Sequence, residues 1–154
     1  MSGDGWDGGD GGGESDANHS SGGDDAATVR AYLLREHRPL LAAVLDCAEA
    51  VAEADGTALG DATDRFERAL RDRGVVDALP DVLSGAVAAI GASLPAEPVA
   101  APPYVVVTRS GPVARATLPE RGRLVLTVAA FARRDGTWAR TAETPEEALT
   151  VELR

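Results

Sequence analysis

The sequence predicts an α+β domain: an N-terminal layer of three or four helices packed on one face of a C-terminal four- or five-stranded antiparallel meander. Three observations predict it. Apolar residues recur at helical spacing through residues 26–94. A proline-rich linker follows over residues 95–103, with Pro95, Pro98, Pro102 and Pro103 in nine positions. Short runs of β-branched residues separated by turn signals fill residues 104–154. Helices and strands kept apart along the chain define the α+β class, and 154 residues suffice for one domain.

The helical part reads as follows. Asp24 and Asp25 are placed to cap a helix from about Ala26, whose apolar face carries Val29, Tyr32, Leu33 and His37. Pro39 lacks an amide donor and restricts Arg38, so a break is expected there. Leu40, Leu41, Val44, Leu45, Ala48, Val51 and Ala52 keep the 3.6-residue period over residues 40–54. Cys47 lies on that stripe between Asp46 and Glu49, an environment for a buried small hydrophobe rather than a reactive thiolate. Residues 56–60 read as a turn, and Asp61 or Thr63 as the cap of a short helix to Arg73 with Ala62, Phe66, Ala69 and Leu70 inward. Arg65, Arg68 and Arg71 are interleaved with Asp64, Glu67 and Asp72, the pattern of a solvated mixed-charge face. Gly74 ends that helix. Residues 75–79 read as a short bridging turn, with a helical form open to it, Pro80 and Asp81 as a new start, and residues 82–94 as a central buried helix without a polar face. Its small residues Gly85, Ala89, Gly91 and Ala92 invite a close neighbour.

The strand part begins at Tyr104, with a strand over residues 104–109, a turn at Ser110-Gly111 and a return over residues 113–118. Pro119-Glu120-Arg121-Gly122 is a second turn. Residues 123–132 read as one long central strand, apolar on both sides. Asp135-Gly136 is a two-residue hairpin signal joining it to residues 137–141. Thr144-Pro145-Glu146-Glu147 reads as a helical turn or loop, and residues 149–153 as an alternating closing strand.

Composition excludes several chemistries. The 15 basic residues are all arginine. Lysine is absent, which removes P-loop, Schiff-base and pyridoxal-phosphate mechanisms that need its amine. One cysteine excludes an internal disulfide and a multi-cysteine metal site. Of the two histidines, His19 lies in a glycine-rich leader and His37 on a helix face, so neither a metal site nor a cofactor is expected. No apolar run reaches the roughly 18 residues of a membrane span. The N-terminus lacks a basic start and an apolar core, so no export signal is expected and a cytoplasmic location is. The Asn18-His19-Ser20 sequon then has no use.

Charge is uneven. Residues 1–25 hold seven acids and no base, residues 26–103 twelve acids and seven arginines, and residues 104–154 six acids and eight arginines, for a total of −10. The leader, residues 1–25, is expected to be a disordered acidic tail, and residues 26–154 a single domain. The Gly3-Asp4-Gly5-Trp6-Asp7-Gly8 pattern has no flanking strand or helix and is a product of composition. Asp4, Asp7 and Asp10 match a calcium loop only in spacing.

The acid-rich, lysine-free composition with 29 alanines resembles proteins of salt-loving archaea. Residues 26–154 resemble a short uncharacterised family from such organisms, through the acidic glycine-rich leader, the Ala/Val helix and Tyr104-Val105-Val106-Val107-Thr108. That resemblance carries no catalytic motif and so no functional residues. It implies a solvent of molar salt, where the Debye length is roughly 3 Å at 1 M and excluded salts strengthen apolar burial. A core of alanine and valine then suffices, and the leader serves hydration.

For function, the sequence favours a non-enzymatic interaction or structural domain. The Asp135-Gly136 turn pairs Arg133 with Trp138 and Phe131 with Arg140 on one face, expected also to carry Val125 and Ala129. With helices on the other side, this face is the candidate surface for a protein partner or a second copy of the chain. The alternative is nucleic-acid binding through the same arginines and aromatics, which the net charge of −10 opposes. A carboxylate-only enzyme would draw on Asp61/Asp64, Asp77/Asp81 or Glu143/Glu146/Glu147. Such pairs arise by chance in an acid-rich chain, and no catalytic residue is assigned.

Overall fold

The computed structural model describes residues 23–55, 59–119 and 121–154. The leader motifs within residues 1–22, the turn residues 56–58 and Glu120 lie outside them.

Four long helices come first. α1 spans residues 23–36. It therefore includes Asp24 and Asp25, which were expected to precede it as caps. His37 is the bend, two residues before the break expected at Pro39. Its carbonyl accepts from the amides of Leu40 and Leu41, both at 3.1 Å, and so opens α2 (Arg38–Asp55). Pro39 is tolerated in the first turn of α2 because an amide there has no helical partner. α3 (Leu59–Asp72) starts earlier than expected, taking in Leu59 and Gly60 ahead of Asp61 and Thr63.

The largest helical correction is α4 (Val75–Ala89): residues 75–79 take the helical form of the two open to them, and no new start falls at Pro80 and Asp81. Pro80 lies inside it. The bond lost at proline is outweighed because Val75, Val76 and Leu79 bury on the same side as Val82, Leu83, Ala86 and Val87. The helix also stops five residues early. Gly91, at φ 71°, donates to Ala88 at 2.9 Å, and Ala92 donates to Val87 at 3.1 Å, closing a Schellman motif. Nor is α4 buried all round, since Asp77, Asp81 and Ala88 form an exposed strip. The close approach at Gly85 does occur: a Cβ there would lie 2.1 Å from the Tyr32 hydroxyl of α1.

β1 (Val105–Val107), β2 (Pro112–Leu118), β3 (Gly122–Val128) and β6 (Leu149–Leu153) form an antiparallel sheet in the order β1-β2-β3-β6. Leu124 stands opposite Ala116 and Leu153, and Leu126 opposite Ala114 and Val151. These residues, with Val105, Leu118, Val128 and Leu149, form the face that meets the helices, α4 lying against β1 and β2. The core is one cluster shared by both layers, with Phe66, Leu70 and Leu83 at its helical centre. The opposite face presents Val106, Val113, Arg115, Thr117, Arg123, Val125, Thr127, Thr150 and Glu152, half-buried or exposed.

The expected long strand over residues 123–132 is two strands. β3 ends at Val128, and β4 (Phe131–Arg134) pairs only with β5 (Thr137–Arg140) in a separate two-stranded sheet. Backbone hydrogen bonds turn the chain. The Ser110 carbonyl accepts from Ala130 at 2.7 Å and Phe131 at 3.1 Å, while Ala129 donates to Ala148 at 2.8 Å. The β1–β2 turn sits so close that a Cβ on Gly111 would lie 1.8 Å from the Val128 carbonyl oxygen. Between the two sheets, α5 (Pro145–Ala148) is a single turn with a capping box, Thr144 accepting from the Glu147 amide and Glu147 from the Thr144 amide.

Candidate functional site

The β4–β5 hairpin is built by its turn. Asp135 (φ 53°) and Gly136 (φ 79°) both adopt the left-handed region, the geometry whose twist matches paired strands. The register sets Arg133 opposite Trp138 and Phe131 opposite Arg140, the pairs expected from sequence. Alternation along each strand puts all four on one side. Val125 does not share that face, because it belongs to the four-stranded sheet, and Ala129 lies in the connection.

The four residues divide between the two ends of the hairpin. At the base, the Phe131 ring meets Phe66 of α3 edge-on, with centroids 5.3 Å apart. Arg140 reaches Glu49 of α2 at 3.9 Å, and its Nε is buried with no hydrogen-bond partner among the described residues. This end is therefore turned onto the helices, contrary to the expected outward face. The reason is the turn at Ala129-Ala130, which carries the hairpin off the plane of the main sheet. At the tip, Arg133 is exposed and Trp138 half-buried.

A second feature went unread in the sequence. Past Val105, β1 no longer covers β2, and a hollow of about 270 Å³ opens there. Leu94, Pro95, Pro103, Tyr104, Arg115 and Arg123 are among the residues lining it. Arg115 is held by its Nε donating to the Pro103 carbonyl at 2.9 Å. The alternation Val113, Arg115, Thr117 marked these side chains as outward. Only the register, with Thr117 opposite Arg123, sets Arg115 and Arg123 diagonally side by side.

The remaining candidates have structural surroundings. Burial pushes the Cys47 thiol up, which suits a packed side chain. The His37 Nε2 lies 3.2 Å from the Tyr32 hydroxyl at the α1–α2 bend. Asp77 and Asp81 are exposed on α4. Glu146 is paired with Arg38, and Glu147 accepts from the Glu143 and Thr144 amides at 2.9 and 3.3 Å. Groups of three or more potential metal ligands are absent among the described residues. No described helix is long and apolar enough to cross a membrane.

No curated protein and no solved structure matches the chain significantly. A family described as a domain of unknown function (DUF7988) matches residues 27–154, the helical layer and the sheet together. The chain belongs to that family.

Proposed function

We propose that this is a non-enzymatic interaction domain whose contact element is the β4–β5 hairpin, with Arg133 and Trp138 as the recognition pair and Phe131 and Arg140 as their footing. One observation carries the reading: the hairpin is rooted on α2 and α3 through Phe131 and Arg140 while its tip offers a cation opposite an indole. Rooting lowers the ordering cost of binding, and Arg and Trp are residue types that dominate interface energies.

A second copy of the chain is the partner that suits this pair. Two hairpins meeting about a twofold axis set each Arg133 guanidinium over the other's Trp138 ring, a self-complementary contact. The composition supports a concentrated-salt habitat for this association, where the repulsion between chains of charge −10 is screened. A cytoplasmic location completes the reading, supported by a single cysteine that is unpaired and buried.

Sedimentation equilibrium at about 0.2 M and about 2 M KCl, where the Debye length falls from roughly 7 Å to roughly 2 Å, tests the proposal. The expected result is a dimer favoured at the higher salt and weakened by Trp138→Ala and by Arg133→Ala. A monomer at both salts refutes self-association. Retention of a single-stranded oligonucleotide, lost on the same substitutions, replaces the reading with nucleic-acid binding.

A further inference from the structure

We infer that the hollow beside β2 is a binding site for a small organic acid, its acid group held between Arg115 and Arg123 and its apolar body, one ring in size, set against Leu94, Pro95, Pro103 and Tyr104. The site shares no residue with the β4–β5 hairpin and lies at the opposite end of β3.

Charge names the acid group. Arg115 and Arg123 stand diagonally on one sheet face at the hollow, and like charges so placed repel. No acid is among the described residues that line it. Glu152, diagonal to Arg123 on the same face, is already taken by Arg154 at 2.6 Å. The two guanidinium groups therefore have no carboxylate partner among the described residues. Arg115 is also pre-positioned. Its Nε donates to the Pro103 carbonyl at 2.9 Å, which leaves both Nη groups for a ligand's paired oxygens. A third donor faces the same space. The Arg115 amide donates to the Tyr104 carbonyl on the β1 side, and by alternation the Thr117 amide points the same way, where no β1 residue stands opposite it.

The walls name the body. Leu94, Pro95, Pro103 and the half-buried Tyr104 give the hollow apolar sides. A cavity of about 150 Å³ holds a benzene ring, so about 270 Å³ takes one ring with its acid group. Apolar burial of the ring persists in concentrated salt, where a bare ion pair is screened.

The test titrates the full chain with benzoate, phenyl phosphate and benzyl alcohol at about 0.2 M KCl, read by backbone amide shifts. Benzoate or phenyl phosphate is expected to give saturable shifts at Thr117, Ala116 and Tyr104 with a millimolar dissociation constant, the tighter of the two identifying the acid group. Benzyl alcohol, uncharged on the same ring, is expected to bind at least about tenfold more weakly. Arg123→Gln is expected to weaken the acid by about tenfold as well. The Arg123 side chain is exposed and without a bonded partner among the described residues, so unchanged amide shifts elsewhere in β2 and β3 mark an intact sheet. Shifts that rise without saturating, benzyl alcohol binding as tightly as the acids, or an Arg123→Gln chain binding as tightly as the parent overturns the inference. Inorganic phosphate binding as tightly as phenyl phosphate overturns it too, by reducing the hollow to a site for a bare ion.

Discussion

Arg38, in the first turn of α2, holds the Glu146 carboxylate of α5 across 108 positions of sequence. Arg30 of α1 adds donors to the Leu149 and Glu146 carbonyls. The helical layer thereby grips the one-turn helix that feeds the central strand β3 its partner β6.

That grip predicts acid lability. Backbone amides hold the Glu147 carboxyl below the ordinary value of 4.5, and the Arg38 hydrogen bond holds the Glu146 carboxyl below it. With folded values lower than unfolded ones, their contribution is complete above about pH 4.5 and is lost as pH falls through the folded values. Thermal midpoints measured downward from neutral pH are expected to fall less steeply in Glu147→Gln than in the parent. Identical slopes would show that the Glu147 interactions have no energetic consequence.

Gly111→Ala is expected to cost about 3 kcal/mol, because its Cβ would overlap the Val128 carbonyl at 1.8 Å. Ser110→Ala is expected to be silent, since Ser110 redirects the chain through its carbonyl. Denaturant midpoints of the two variants check the pair, and equal stability would remove the proposed cause of the β3–β4 break.

Gly85 and Tyr32 should be coupled. A Cβ at Gly85 meets the Tyr32 hydroxyl at 2.1 Å, whereas alanine is favoured over glycine in a helix by about 1 kcal/mol. Gly85→Ala is therefore expected to be less costly in a Tyr32→Phe background, by about 1 kcal/mol in a double-mutant cycle. Additive effects would mean that the ring moves aside freely.

Phe66 is 1 % exposed and Phe131 half-buried against it. Phe66→Ala is expected to cost about 3–5 kcal/mol, and Phe131→Ala less. Near-ultraviolet circular dichroism should also show Trp138 losing its fixed environment in Phe131→Ala. An unchanged Trp138 signal would mean that the hairpin is held by its backbone bonds alone.

Added KCl should stabilise the fold, because the −10 charge repels itself and salt screens that repulsion. A urea midpoint that falls between about 0.1 M and about 1 M KCl would contradict this and the salt-habitat reading with it.

Much of this was legible in local pattern. The period of Leu41, Val44, Leu45, Ala48 and Val51 marks one buried helical stripe, and Asp135-Gly136 specifies its hairpin because few residues accept two successive left-handed conformations. The sequence misleads at Pro80, where the breaking tendency of a proline is local and the burial of Val75, Val76 and Leu79 is not. It misleads again at Ala129-Ala130, whose composition suits a continuing strand. There the chain turns because carbonyls of Ser110 and Ala148 are within reach. The candidate face was legible as four residues in register. Its outlook was not, because orientation depends on the path between the two sheets.

The sequence by itself determined the α+β class, the helix faces, the turn chemistry and the uneven charge, since each follows from side-chain periodicity or backbone preference within a few residues. Only the tertiary structure decided that β3 and β4 part company, that Phe131 and Arg140 turn onto α2 and α3, and that Arg115 and Arg123 stand side by side at the hollow beside the uncovered part of β2. These depend on hydrogen bonds and packing between segments distant in the chain, whose energies exist only once the layers meet.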